Sequence, residues 1–221
     1  MLKYPISTLL YLAKINIKDT IQDALKLHDN IDVRITITVK DKDDNIIKVN
    51  KQKSHSFVAN FLYILASILS NNEYSWTNTA NTSNTEYFNS PINEALSLIY
   101  NGVYYDGIVI GTGTAIPTAS DYALGNQIGN GTNSGQMKYN NISFTAPSIG
   151  SNNTTTFKIS QTFQNQSGAS ITVTEVGLQV ASSNAVSSVT TVLIVHDLLS
   201  SPITVPNNAV LTIVYTISVT T

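Results

Sequence analysis

The sequence predicts a mainly β protein, with an antiparallel β-sandwich or jelly-roll-like body, N-terminal helices and one buried helix at about residues 55–70. Two patterns carry this prediction. Apolar residues alternate with polar ones over residues 31–40 and in several segments of the second half, as expected of half-buried strands. Helical spacing of apolar residues is confined to residues 5–27 and 55–70. We therefore expect an N-terminal helical arm at residues 1–30 and a β-sandwich body at residues 31–221.

The N-terminal arm has the pattern of an amphipathic helix. Pro5 suits a first helical turn, because its fixed φ and missing N–H are tolerated there. The apolar side chains of residues 5–27 recur at spacings of three and four residues, which predicts helix with one apolar face. They are Ile6, Leu9, Leu10, Ala13, Ile17, Ile21, Ala24 and Leu25. A break near Asn16–Thr20 stays open, with Asp19 or Thr20 as the cap of a second short helix.

The body begins with a predicted hairpin. Residues 31–40 alternate strictly, so one face of the strand is apolar and the other is polar. Residues 41–45 have the composition of a turn, and residues 46–50 return as the second strand. The apolar face consists of Ile31, Val33, Ile35, Ile37 and Val39.

Residues 55–70 are predicted to form the buried helix. Two adjacent apolar stripes cover most of its circumference, and a helix this apolar is expected to be buried. A narrow polar face remains. It consists of Asn60, Tyr63, Ser67 and Ser70.

Residues 71–91 are predicted to form a long polar loop that carries aromatic side chains. A loop of this length in a compact domain is usually functional. We expect it to dock another protein through Tyr74, Trp76, Tyr87 and Phe88. Two alternatives stay open. Trp76 packs against its own loop, or the chain is a carbohydrate-binding or adhesive surface module in which sugars stack on Tyr74, Trp76, Tyr87, Tyr104 and Tyr105. A short helical turn is expected at residues 92–100.

From residue 103 onward the pattern indicates strands only. Gly, Pro, Asn and Ser separate the apolar segments, which favours an antiparallel sandwich or jelly roll. The candidate strands are Val103–Ile110, Gln136–Phe144, Thr154–Phe163, Ser170–Val180, Val189–His196 and Ala209–Val219.

Charge is scarce and unevenly distributed. Residues 1–107 hold 21 of the 26 charged residues, and residues 108–221 hold the other five. The net charge is −2, so no overall positive field attracts nucleic acid. A weakly charged second half is expected either to expose mainly hydroxyls and amides or to be covered by neighbouring subunits. No apolar segment reaches the length of a membrane span.

No motif for catalysis, a cofactor or a metal is found. The chain has no Cys, which excludes disulfides and thiolate sites. Residues 41–45 begin like a calcium loop, but Ile46 and Gln52 stand where the motif needs Gly and Glu. The glycines Gly111 and Gly113 follow a strand without the third glycine of a dinucleotide loop, which favours a tight β-turn or bulge. The three histidines lack metal spacing.

Glu175 stands out as an isolated charge in a predicted strand. It is the only charged residue between Lys158 and Asp197. We expect a structural carboxylate that accepts hydrogen bonds from backbone N–H groups or hydroxyls. Neither Asp121 nor Asp197 can be placed beside it from sequence spacing. His196 and Asp197 are adjacent near a strand end, so their side chains are expected to point to opposite faces.

The order of several segments resembles a family of virion structural proteins of tailed phages and related prokaryotic viruses. The segments are VRITITVKDKDDNIIK, SHSFVANFLYILASIL, GIVIGTGTAIPTASDYAL, FKISQTFQNQSGASITVTEVGLQV and LIVHDLLSSPITVPNNAVLTIVYTISV. The resemblance covers about residues 31–220, and His196 stands where the family usually has Arg. The positions that match the family pattern are Gly111, Thr112, Gly113, Thr114, Pro117, Asp121, Leu124, Glu175, Val176, Gly177, Leu178, Pro202, Val205 and Pro206.

The resemblance implies a virion part without enzymatic activity: a tail, neck or head–tail adaptor protein that assembles into a ring. It implies copies of the same chain and other virion proteins as partners, and Gly111, Gly113, Asp121, Glu175 and Gly177 as a structural motif. It implies no cofactor, no membrane span and no recognition of free nucleic acid, although DNA could pass through a ring lumen lined by Asn and Thr. The composition would also suit a virus of an archaeon.

Overall fold

The computed structural model describes residues 31–54, 56–70, 74–86, 107–140, 142–150, 153–183 and 189–220. The predicted N-terminal arm and the helical turn expected at residues 92–100 lie outside these ranges, as do Tyr87 and Phe88. The described part is mainly β, with one helix and antiparallel sheets. The prediction of a mainly β, antiparallel, sandwich-like fold is therefore confirmed.

The elements follow in chain order. They are β1 (Ile31–Lys40), β2 (Ile46–Lys53), α1 (Ala59–Ser70), β3 (Tyr74–Thr77), β4 (Ser83–Glu86), β5 (Gly107–Gly111), β6 (Lys138–Tyr139), β7 (Ser143–Ile149), β8 (Thr154–Gln164), β9 (Ile171–Ser183), β10 (Val189–Val205) and β11 (Val210–Thr220).

The larger sheet has six strands in the order β2-β1-β11-β8, with β6 and β7 following each other along the far side of β8. The alternation in β1 sets its register, because a shift of one residue would turn its apolar side chains to solvent. Ile35 pairs with Tyr215 and Ile37 with Ile213, and all four side chains are buried.

The smaller sheet has the order β10-β9-β5, and it packs on the larger one. One hydrophobic core joins the two sheets, with Ile35 and Phe163 from the larger and Ile110 and Val173 from the smaller. A buried glutamine also connects them: Gln161 Oε1 on β8 accepts the N–H of Ile108 on β5 at 2.8 Å.

Most strand predictions are close to the observed bounds, and two differ. The single strand expected at Gln136–Phe144 is two strands, β6 and β7, which both pair with β8. The strand expected to end at His196 continues as β10 to Val205, because register shifts let it carry irregular residues around Pro202 while it stays paired with β9.

A helix is present where residues 55–70 predict one, but the expectation that it is mostly buried is wrong. The helix α1 runs from Ala59 to Ser70, and it buries Asn60, Ile64 and Ser67. Two residues of its polar face, Asn60 and Ser67, therefore face the protein. Much of the apolar surface is exposed instead, at Leu62, Leu65, Ile68 and Leu69, together with Tyr63.

The long loop predicted at residues 71–91 is also wrong for the part that is described. The hairpin β3–β4 occupies residues 74–86, with Tyr74 opposite Glu86 and Thr77 opposite Ser83. Asn78 shapes the turn, because its side-chain Oδ1 accepts the N–H groups of Ala80 and Thr82 at 3.0 and 2.9 Å. Asn81 occupies the left-handed region that such a turn requires, with φ of 61°.

Candidate functional site

The densest polar cluster among the described residues lies at one end of the smaller sheet. Strand β9 supplies Glu175, which pairs with Gly111 on β5 and with Leu198 on β10. Strand β10 supplies His196. The segment after β5 crosses the end of these strands and supplies Asp121. We call Asp121, Glu175 and His196 the acid–histidine cluster.

Glu175 accepts three backbone hydrogen bonds. Its Oε1 accepts the N–H of Gly113 and of Asn126, each at 2.8 Å, and its Oε2 accepts the N–H of Gly125 at 2.9 Å. The side chain thereby fixes both limbs of the segment from residue 111 to residue 126. These are donors of the type that the sequence predicted for this residue. Glu175 is only 1% exposed, so the carboxylate depends on them in place of water.

His196 lies between two carboxylates. Its Nε2 is 2.9 Å from Oε2 of Glu175, and its Nδ1 is 2.7 Å from Oδ2 of Asp121. Ionised carboxylates only accept hydrogen bonds, so both ring nitrogens donate and the ring is an imidazolium. The cluster then carries two negative charges and one positive charge, inside a site where His196 is 3% exposed.

Asp121 also closes its own turn. Its two carboxylate oxygens accept the N–H of Thr118 at 2.9 Å and the hydroxyl of Thr118 at 2.7 Å. The residue is partly exposed, in contrast to Glu175 and His196. Asp121 therefore connects the surface turn at residues 118–121 to the buried part of the cluster.

The pKa values follow from these contacts. Burial raises the pKa of Glu175, but the hydrogen bonds from His196 and three backbone amides outweigh it and hold the pKa at about 2. Burial lowers the pKa of His196, but its two carboxylate partners outweigh burial and raise it. Burial also raises the pKa of Asp121, which its bonds from Thr118 and His196 nevertheless lower. All three groups are thus held in their charged forms.

The glycines of the structural motif make room for this carboxylate. A Cβ at Gly111 would lie 2.3 Å from Oε1 of Glu175, and one at Gly113 would lie 2.5 Å from the same atom. Both distances are too short for a side chain. Gly177 has a different role, because a Cβ there would lie 2.9 Å from Leu193 and 3.0 Å from Leu124 in the core.

Asp197 points away from this cluster, as expected because it follows His196 directly on the strand and adjacent side chains point to opposite faces. Its Oδ2 accepts the hydroxyl of Ser54 at 2.7 Å and that of Tyr215 at 3.1 Å, between the two sheets. Burial and the nearby carboxylate together raise the pKa of Tyr215. Asp121 and Glu175 therefore meet through His196, whereas Asp197 belongs to a separate buried group with Ser54 and Tyr215.

The cluster is built to hold charge in place. Both ring nitrogens of His196 donate to carboxylates, so the imidazolium has no free lone pair with which to bind a metal or accept a proton. Accordingly, no group of acidic and histidine side chains in the described ranges is arranged to hold a metal ion. The arrangement instead holds residues 111–126 in place against β9 and β10 through hydrogen bonds.

Two of the four aromatic residues of the predicted docking loop, Tyr74 and Trp76, lie in the described residues. Trp76 is 1% exposed and packs in a small core with Ile64, Val180 and Val192. This burial agrees with the alternative that Trp76 packs within its own subunit, and the docking role of the loop stays a prediction. Tyr74 on β3 is half-buried.

Two functional features were missed from the sequence. No spacing in the sequence indicates that His196 lies beside Glu175 and Asp121. The exposed face of α1 was not predicted, because a helix this apolar was expected to be mostly buried. Asn60 gave the only signal: one amide in an apolar helix is a candidate for a buried hydrogen bond.

The α1 face forms a second candidate site. We define it as Leu62, Leu65, Ile68 and Leu69, which are exposed side chains on a helix without a charged residue. Leu62 is 61% exposed and Leu69 is 77% exposed. An apolar surface of this kind is typical of a contact with another protein segment.

The described residues include no helix long and apolar enough to cross a membrane. Comparison of the chain with known protein families, with curated proteins and with solved structures found no match. The resemblance to virion proteins therefore remains an expectation based on short motifs, and the function of the chain is a proposal.

Proposed function

We propose that this chain is a non-enzymatic structural subunit of the virion of a prokaryotic virus. In this proposal, copies of the chain form a ring that serves as an adaptor, a connector or a tail component and that contacts other virion proteins. The single observation that carries the proposal is the α1 face, an apolar surface held outward by hydrogen bonds at the opposite side of the helix.

Exposed apolar side chains also lie on strands at both edges of the larger sheet. On β2, the exposed apolar side chains are Ile46, Ile47 and Val49, and on β7 they are Phe144 and Ile149. Burying apolar surface yields about 25 cal/mol per Å². A subunit with apolar side chains on several sides gains stability by assembling, which favours a role as one part of a larger particle.

The acid–histidine cluster supports a structural role for the motif residues. Glu175 is 54 residues from Asp121 in sequence, yet it meets Gly111, Gly113 and, through His196, Asp121 in one group. Each charged atom in it is engaged by a neighbour, and the two innermost side chains are buried. Such a group stabilises the shape of the segment at residues 111–126, which a subunit needs when that segment meets a neighbour.

The test is the mass of the purified full-length protein, measured by light scattering during size-exclusion chromatography and followed by electron microscopy. We expect a discrete closed oligomer with rotational symmetry. A protein that stays monomeric at high concentration would overturn the ring. A ring with a continuous lumen could then be tested for DNA passage, since a lumen lined by Asn and Thr needs no positive charge.

No observation favours the carbohydrate-binding alternative. Its central residue was Trp76, whose ring is enclosed by Ile64 and Val192. Sugar recognition by stacking requires an exposed aromatic face. Glycan binding by the purified protein that disappears on Trp76→Ala while the fold is kept would reopen that alternative.

A further inference from the structure

The orientation of α1 is fixed by a buried amide. Asn60 Nδ2 donates to the carbonyl oxygen of Thr77 at 2.9 Å and to that of Leu193 at 3.2 Å. Its Oδ1 accepts the N–H of Thr77 at 3.1 Å. Rolling the helix to bury its leucines would break all three bonds and leave buried polar groups without partners, at a cost of about 1–3 kcal/mol each. Within the described residues, the α1 face is therefore not buried by rotation of the helix.

The inner side of α1 is also held in place by apolar packing. Ile64 on the inner side of the helix packs against Trp76, Val180 and Val192. A helix of 12 residues is about 18 Å long, and none of its residues is charged. Whatever covers its outer face must therefore be apolar and elongated, and it needs no charge complementary to α1.

The sheet edges are less suited to pairing between copies. The edge strand β2 carries Lys48, Lys51 and Lys53, and the edge strand β7 carries Pro147. Lysines and prolines on edge strands oppose the addition of a further strand. Contact between subunits is therefore expected to use side-chain packing on α1 in preference to backbone pairing at these edges.

Packing of α1 against α1 of a second copy would give a small contact. Stable interfaces bury about 800 Å² on each partner, which two helices of about 18 Å supply poorly. The N-terminal segment at residues 5–27 is a better match. As a helix it would be about 34 Å long, and its sequence has one apolar face.

The start of β1 lies close to the segment that leads into α1. The N–H of Ser54 donates to the carbonyl of Val33 at 2.8 Å, and α1 begins five residues after Ser54. Residues 5–27 precede β1 by only a few residues, so a short connection would allow them to meet an α1 face.

We infer that the α1 face binds the apolar side of residues 5–27 from a neighbouring copy of this chain. The inference rests on the proposed ring, in which every subunit gives an arm to one neighbour and accepts an arm from the other. Such a head-to-tail contact closes into a ring when the rotation between subunits allows it.

The absence of Cys from the chain allows a direct test. One full-length copy carries Leu10→Cys in the arm and another carries Leu65→Cys in α1, and the two are mixed, assembled and oxidised. We expect a disulfide between the two different chains. A mixture of Leu10→Cys with Asp43→Cys is the matched control, because Asp43 is an exposed turn residue at the end of the β1–β2 hairpin remote from α1. That control should cross-link at least tenfold less.

A second cysteine position in α1 keeps the test valid if Leu65→Cys disturbs folding. Leu62→Cys is expected to cross-link as well, since Leu62 lies on the same face and is exposed. A disulfide that forms only when Leu10→Cys and Leu65→Cys are in one chain would overturn the contact between copies, because the arm would then cover the α1 face of its own subunit. A closed oligomer without either cross-link would overturn the inference and leave the proposed ring intact. A cross-linked pair without a closed oligomer would support the arm contact and overturn the ring.

Discussion

The acid–histidine cluster and the α1 face break the usual distribution of residues in opposite ways. The cluster places charged side chains of Glu175 and His196 in the interior, with 1% and 3% exposure. The α1 face places Leu62 and Leu69 in solvent. Both arrangements cost free energy when considered alone, since charge is taken from water in one and hydrocarbon is left in it in the other.

The two regions differ in which groups offset their free-energy cost. Glu175 is compensated within the subunit, by three backbone N–H groups and by His196. For the α1 face, the proposed compensation comes from another chain. The first region should therefore dominate the stability of a single subunit, and the second should dominate assembly. Four predictions test this division, in order of their expected effect on the unfolding free energy of the subunit.

Glu175→Ala should have the largest effect. It removes the acceptor of three backbone amides and leaves His196 with a single carboxylate partner in a buried site. Removing one partner of a buried ion pair costs about 3–5 kcal/mol. Urea unfolding should report that loss, and the exposed turn variant Asp43→Ala should change stability by about 0.5 kcal/mol or less. A loss below about 1 kcal/mol for Glu175→Ala would contradict the compensation described here.

His196→Gln should give a smaller, pH-dependent loss. Because the pKa of His196 is raised above its ordinary 6.5, its contribution is complete below that pH and is lost as the pH rises through the raised value. The contribution of Glu175 is complete above its ordinary 4.5 and is lost as the pH falls toward about 2. The cluster therefore stabilises most between about pH 4.5 and 6.5.

The measurement is the unfolding free energy of both proteins across this range. At pH 5.5, His196→Gln should cost about 1.5–3 kcal/mol, as expected for hydrogen bonds to charged groups. The difference between the two proteins should shrink at alkaline pH, where the native imidazolium loses its proton. A difference that is constant from pH 5 to pH 9 would mean that His196 acts only by packing.

Gly111→Ala should cost about 1–3 kcal/mol, the usual penalty of overpacking. The added methyl would overlap the Glu175 carboxylate and approach the carbonyl oxygen of Asn126 to 2.8 Å. Gly150→Ala is the matched control, because its Cβ would meet only the carbonyl of Thr154 at an ordinary 3.5 Å. Equal stability of the two variants in urea unfolding would contradict the role assigned to Gly111.

The sequence predicted the β body well where alternation was strict. Strand β1 begins and ends where expected, because each polar residue between its buried side chains marks the solvent face. The prediction failed around residues 136–149, where two short edge strands share β8, since an edge strand is exposed and gives no alternation to detect. In β7 every residue is exposed.

The candidate site could be predicted only in part, for a related reason. Glu175 was identifiable because a lone charge in an apolar strand needs hydrogen-bond donors, and its donors are backbone amides. Its link to Asp121 through His196 was not identifiable, since the two carboxylates lie on segments 54 residues apart whose approach depends on how β5, β9 and β10 pair. For α1, hydropathy predicted a mostly buried helix, whereas three hydrogen bonds of Asn60 turn that residue inward and leave Leu62 and Leu69 exposed.

The smallest effect on the subunit should come from Leu69→Gln on the α1 face. Leu69 is 77% exposed, so its replacement removes little buried surface and should change the unfolding free energy of the monomer by about 0.5 kcal/mol or less. Ile64→Ala on the inner side of the same helix is the matched comparison, at a cost of about 2–5 kcal/mol. Light scattering should show the reverse order for assembly, because Leu69→Gln weakens the contact between copies while the subunit stays folded. A monomer strongly destabilised by Leu69→Gln would mean that the α1 face is already covered within its own subunit.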